Sequence, residues 1–275
     1  MHLNVLIASC IIAAASLVLD NGAVRVEVDP SLFSVRFIGM PGGTNFLEPL
    51  FVNETGRRGK DWLDPGGLVT DLIPCEARDA ALRRGPAEVV VHDGQSLVLI
   101  GPPSEQMPLR LKKEIRLMGT EARVVFRVTV LSTSPEPLPL ALRNTARLPH
   151  GVTLHVNKSD ATIRSLADTD SIFPAVVKSS RYWLIPVPPA GPVDHVLLGA
   201  FVPELACQGN GGTWIRRIEN MPADGQTVPQ ESTFLCILDN ETRSYGAALQ
   251  CARVPVDAGR PLVFTEEWTF EKRGK

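Results

Sequence analysis

Apolar and polar residues alternate with period two along almost the whole chain, which is the signature of half-buried β-strands. In LRLKKEIRL (109 to 117), Leu109, Leu111, Ile115 and Leu117 share one face. Arg110, Lys112, Glu114 and Arg116 share the other, and only Lys113 interrupts the apolar set. ARVVFRVTVL (122 to 131) repeats the pattern, with Val124, Phe126, Val128 and Val130 facing inward. MGTE (118 to 121) between them is turn chemistry, so the two runs form a long antiparallel hairpin.

DNG (20 to 22) and HDG (92 to 94) mark two more tight hairpins, because both place glycine where a positive φ is needed. Further strands are expected at 33–38, 137–145, 151–156, 182–187, 194–201, 213–218, 232–238, 245–254 and 262–270. The 22 glycines and 23 prolines favour turns over helix, and TSPEPLP (133 to 139) and PVPPAGP (186 to 192) forbid it outright. One short helix is expected at CEARDAALRR (75 to 84), entered from Pro74. So many strands need two large stacked sheets, each burying one face. The expected fold is therefore all-β, a large two-sheet antiparallel sandwich with at most one or two short helices. No linker divides the chain, and residues 16–275 read as one domain.

Residues 1–15 are read as an export leader. The first 19 residues carry no Lys, Arg, Asp or Glu; AAA (13 to 15) fits a cleavage site, and IASC (7 to 10) fits lipid attachment at Cys10. Either implies a periplasmic or extracellular protein; if 11–19 is instead the first strand, the protein is cytoplasmic. The run is short for a membrane span. With a net charge of -2 and no basic stripe, nucleic acid is not an expected partner. Of the five cysteines, Cys75, Cys207, Cys236 and Cys251 would remain in the mature chain, and their pairing is open among three arrangements. No C-x-x-C pair is present, so no metal site is expected, and with no P-loop, G-x-G-x-x-G or H-E-x-x-H motif no cofactor is expected either.

Among the histidines, His150 is the best catalytic candidate because it follows RNTAR; His155 lies five residues on, on the opposite face of a straight strand. A sugar stacks its apolar face on an aromatic ring, so Trp62 in the polar loop GKDWLDPGG is the first platform candidate and Trp214 in GGTWIRRIEN the second. Aromatics make up only 6% of residues, which leaves few alternatives. Of the adjacent acids Glu266 and Glu267, only one can face a cleft.

LDNGAVRVEVDPS near the start, LRNTARLPHG (142 to 151) and YGAALQCARVPVDAGRPLVFTEEWTF (245 to 270) together resemble the galactose-mutarotase-like β-supersandwich, and within it the bacterial proteins grouped as DUF4380. In aldose 1-epimerases of that fold, an Asn-His-(Ser/Thr) segment supplies an acid, a second His follows, and a Leu-Glu strand supplies the base. The resemblance sets Arg143-Asn144-Thr145 at the first position and Leu249-Gln250 at the last. An amide donates and accepts hydrogen bonds but does not take a proton. The resemblance thus implies a carbohydrate-binding domain without epimerase activity, with Trp62, Arg143, Asn144, Trp214 and Gln250 contacting a mono- or oligosaccharide. One alternative is a sugar epimerase using His150 or His155 with a glutamate, Glu266 or Glu219. Another is a structural module of the cell envelope.

Overall fold

The computed structural model describes residues 16–48, 66–74, 81–82, 85–158, 163–166, 176–188, 195–209, 211–219, 233–239 and 244–271. These hold twenty strands. In chain order they begin with β1 (Leu17–Asp20), β2 (Arg25–Asp29), β3 (Ser34–Gly39), β4 (Leu68–Ile73), β5 (Glu88–His92), β6 (Ser96–Ile100) and β7 (Leu109–Leu117). Then come β8 (Arg123–Ser132), β9 (Leu138–Arg147), β10 (Thr153–Asn157), β11 (Arg164–Ser165), β12 (Val177–Lys178), β13 (Tyr182–Pro186) and β14 (His195–Ala200). The last are β15 (Glu204–Gly209), β16 (Gly212–Ile218), β17 (Phe234–Asp239), β18 (Ser244–Gln250), β19 (Val254–Val256) and β20 (Leu262–Glu271).

They form two antiparallel sheets of ten strands each among the described residues. The first, sheet A, runs β1-β2-β3-β4-β9-β18-β17-β14-β11, with β19 also pairing β9. The second, sheet B, runs β12-β13-β10-β15-β16-β20-β8-β7-β6-β5. The expected hairpins are present: Asp20 pairs with Arg25 around Asn21-Gly22, and β7 pairs with β8 from Leu109↔Ser132 to Leu117↔Val124. Gly22 has φ 81°, and the Asn21 side-chain oxygen accepts the Ala23 and Val24 N–H groups. This turn therefore carries its own backbone satisfaction.

The core lies between the sheets. Leu111, Val130, Leu154, Phe264 and Leu249 are fully or almost fully buried there, each contributing roughly 1.5–3 kcal/mol of burial. Lys113, the residue that broke the apolar pattern, is also buried. Its Nζ donates to the Phe33 carbonyl at 2.7 Å and sits 4.0 Å from the Phe33 ring centroid. Burial pushes the Lys113 pKa down to about 7, against the opposing charge of Asp71.

The strand expectations change in two details. The strand expected over 245–254 is two: β18 ends at Gln250 and β19 begins at Val254. The break occurs where the Cys251 N–H bonds the Leu142 carbonyl and the Leu142 N–H bonds the Cys251 Sγ, so pairing with β9 resumes only at Leu140. Strands β4 and β15 were not anticipated. In β4, Leu68, Val69 and Thr70 are buried in succession, which erases the alternation. The helix expected over 75–84 lies mostly outside the described residues.

Candidate functional site

Strand β9 presents different chemistry on its two faces. Leu142, Asn144 and Ala146 point into the core; Arg143, Thr145 and Arg147 point away from sheet B. The alternation makes Asn144 an interior residue, and at 1% exposure it requires polar partners.

Those partners come from both sheets. The Thr70 hydroxyl donates to Asn144 Oδ1 at 2.8 Å, and Asn144 Nδ2 donates to Glu266 Oε2 at 3.2 Å. The other Glu266 oxygen accepts from Arg216 Nε and from Trp268 Nε1, both at 2.6 Å. Arg216 also donates to the carbonyls of Ala247 at 2.6 Å and Asn144 at 3.0 Å. Arg216 and Glu266 are both wholly buried. Both ionic groups are met by hydrogen bonds on several sides, the condition under which a buried pair is tolerated. Glu266 is thus a link between sheets, sealed from solvent. The network has no open face on which a substrate proton could arrive.

The outward face of sheet A carries a second polar set. In register, Asp71 of β4 stands opposite Arg143 of β9, and Arg143 stands opposite Gln250 of β18. Arg143 Nε donates to Gln250 Oε1 at 3.0 Å. Gln250 is only 4% exposed, and its flanks on this face, Thr145 and Ala248, are buried too. The Gln250 N–H bonds the Thr233 carbonyl at 2.8 Å. The resemblance-derived pair Arg143 and Gln250 therefore meets side chain to side chain, whereas Asn144 faces the opposite way. Asp71 of β4 joins this row by register.

The remaining expected residues do not gather here. His150 is exposed, and its ring packs edge-on against Tyr245 at 5.2 Å. Tyr245 and Gln250 lie at opposite ends of β18, five residues or roughly 17 Å apart, on opposite faces. His155 belongs to sheet B, edge-on to Tyr182 at 5.7 Å. Burial lowers its pKa, and a hydrogen bond to the Gln208 side chain partly restores it. Trp214 is 1% exposed and packs 4.8 Å from Phe46, so its ring belongs to the core and not to a surface. Trp62 lies outside the described residues. Glu219 borders a groove of about 530 Å³ on the outer face of sheet B, beside Glu114, Arg116, Arg127 and Thr265.

Sequence reasoning passed over Arg216, Thr70 and Glu48. Arg216 was recoverable from parity: Trp214, Arg216 and Ile218 fall on one face, and so do Phe264, Glu266 and Trp268. A cation and an anion on two otherwise apolar stripes call for each other. Glu48 has no such signal. Burial raises its pKa, and the charge of His150 offsets part of that rise.

Cys207, Cys236 and Cys251 are free thiols, and burial pushes the Cys207 pKa up to about 12. No group of three or more His, Cys, Asp or Glu suited to a metal ion occurs among the described residues. Nor does a helix long and apolar enough to cross a membrane occur among them.

No family model matches the chain, and no curated protein matches it. Solved structures do. A galactose mutarotase-like protein from Lactobacillus casei is similar with a TM-score of 0.62 and 8% identity, over 93% of this chain and 100% of that one. The Slr1438 protein from Synechocystis gives 0.60 at 10% identity, over 94% and 96%. A galactose mutarotase related enzyme from Lactobacillus acidophilus gives 0.56 at 10% identity, over 94% and 97%. With two ten-stranded antiparallel sheets and this end-to-end likeness, the chain has the galactose mutarotase-like β-sandwich fold.

Proposed function

We propose that the outward face of sheet A around Arg143 and Gln250 binds a carbohydrate, in an exported protein, and does not carry out aldose epimerisation. The observation that carries this reading is the Arg143–Gln250 hydrogen bond at 3.0 Å. It fixes an amide and a guanidinium on adjacent strands. The buried amide orients the half-buried guanidinium, whose planar fork of N–H groups suits sugar hydroxyls. The mutarotase-like neighbours support a sugar as the ligand class. Ring opening of a pyranose needs a base for the anomeric hydroxyl and an acid for the ring oxygen. Gln250 has no titratable proton, Glu266 is locked between the sheets, and His150 stands at the far end of β18.

Isothermal titration against a panel of hexoses, pentoses and disaccharides at millimolar concentration tests the reading. Binding that is lost in Arg143→Met supports it. No heat and no thermal shift with any sugar overturns it, and would fit a purely structural role for the buried Gln250.

A second reading, an epimerase or related sugar enzyme, is favoured by one feature: the raised Glu48 pKa beside the charge of His150. Anomer exchange followed by NMR separates the two. A rate above buffer that disappears in His150→Ala would establish the enzyme.

A further inference from the structure

Among the described Phe, Trp and Tyr residues, Phe201 alone is exposed, at 41%. It directly follows β14, whose last residue Ala200 stands in the core-facing row Ala200–Phe234–Leu249, so the alternation carried one residue past the strand turns Phe201 to the outward face of sheet A. That is the face of Arg143 and Gln250. Phe201 is also held close to them. The Val202 N–H donates to Thr233 Oγ1, and that hydroxyl donates back to the Val202 carbonyl, both at 2.7 Å. The Thr233 carbonyl accepts the Gln250 N–H at 2.8 Å. Strand order sets β17 between β14 and β18, so Phe201 stands two strand spacings, roughly 10 Å, from Gln250.

We propose that Phe201 is the stacking platform of the site: the apolar C–H face of a pyranose lies on its ring while the hydroxyls on one edge reach Arg143, which Gln250 orients. This rests on the carbohydrate reading above and adds the orientation of the sugar and its requirement for an apolar face. A single exposed phenyl ring is ordinary by itself, and it is the position of this one beside Arg143 that gives it a role. The residue that follows it, Val202, is held through both its N–H and its carbonyl by the Thr233 hydroxyl. Sugars with several axial hydroxyls on the stacked face are expected to bind more weakly than those with a clean apolar face.

The test compares wild type, Phe201→Ala, Phe201→Trp and Val177→Ala, the last altering another exposed apolar residue, on the edge of sheet B. The sugar that binds wild type best in the panel is the probe. Phe201→Ala is expected to raise Kd about five- to tenfold, with Tm unchanged. Phe201→Trp is expected to retain affinity and to show a saturable fluorescence change absent from wild type. Val177→Ala is expected to bind as wild type. Unchanged affinity in Phe201→Ala overturns the stacking role while leaving the carbohydrate reading intact. An equal loss in Val177→Ala also overturns the role. Failure of wild type to bind any sugar overturns both.

Discussion

Asn144 of sheet A donates to Glu266 of sheet B at 3.2 Å, and through Glu266 it reaches Arg216 and Trp268. Polar groups this deep are costly unless every partner is present. Glu266→Gln leaves Arg216 charged and without its anion. It is expected to lower unfolding free energy by about 3–5 kcal/mol. Arg216→Met should cost a similar amount, and the double variant less than the sum of the two. Denaturant titrations measure all three, and a loss under about 1 kcal/mol for either single variant would remove the network from the account of stability.

The outward pair should behave differently. Gln250→Ala and Arg143→Met are each expected to weaken sugar binding about tenfold, the equivalent of one lost hydrogen bond to a charged or amide group. Because the two side chains bond each other, the double variant is expected to be little worse than either single one. Strict additivity in calorimetric affinities would show that they act independently.

Lys113 sets a pH dependence of stability. Its folded pKa of about 7 lies below the unfolded value of about 10.4. Between those values the unfolded chain holds a proton that the folded chain has released, so stability rises with pH across the window. Below about pH 7 both states are protonated and this contribution levels off. Lys113→Met is expected to flatten the rise and to be more stable at pH 7 by about 1–3 kcal/mol. Urea midpoints at pH 7, 8 and 9 check it; parallel curves for the two proteins would refute the assignment.

Gly67 occupies the junction of β3 and β4 with φ +67°, and a Cβ there would come within 1.9 Å of the Val35 carbonyl oxygen. Its N–H bonds the Glu48 carbonyl, and its own carbonyl accepts the Arg147 N–H, both at 2.8 Å. Gly67→Ala is expected to destabilise by more than about 2 kcal/mol, since strain and displacement of bonded backbone act together. Thermal unfolding of the variant at its wild-type midpoint would contradict this.

Alternation made the architecture readable. The β7–β8 hairpin, the Asn21-Gly22 turn and the pairing of distant strands into two layers all follow from period two and glycine position. Strand β4 was hidden because both its faces are covered, so nothing alternates. The site was legible only in part. Resemblance located Arg143 and Gln250, and register joins them. It could not sort Asn144 onto the other face without a strand frame, and it gave no hint that Glu266 had an interior cation waiting. His150 was chosen for its nearness in sequence to RNTAR, but the chain leaves β9 before reaching it and turns away from Gln250. Phe201 carried no motif at all. Its meaning comes from what lies on either side of it in three dimensions.

The interleaving of β9 also limits how this protein can diversify. Positions 143, 145 and 147 open onto one environment and 142, 144 and 146 onto another, so a single inserted residue would exchange every tenant of the strand at once. Substitutions on the outward surface can accumulate at the odd positions alone, while the even ones are held in place by the opposite layer.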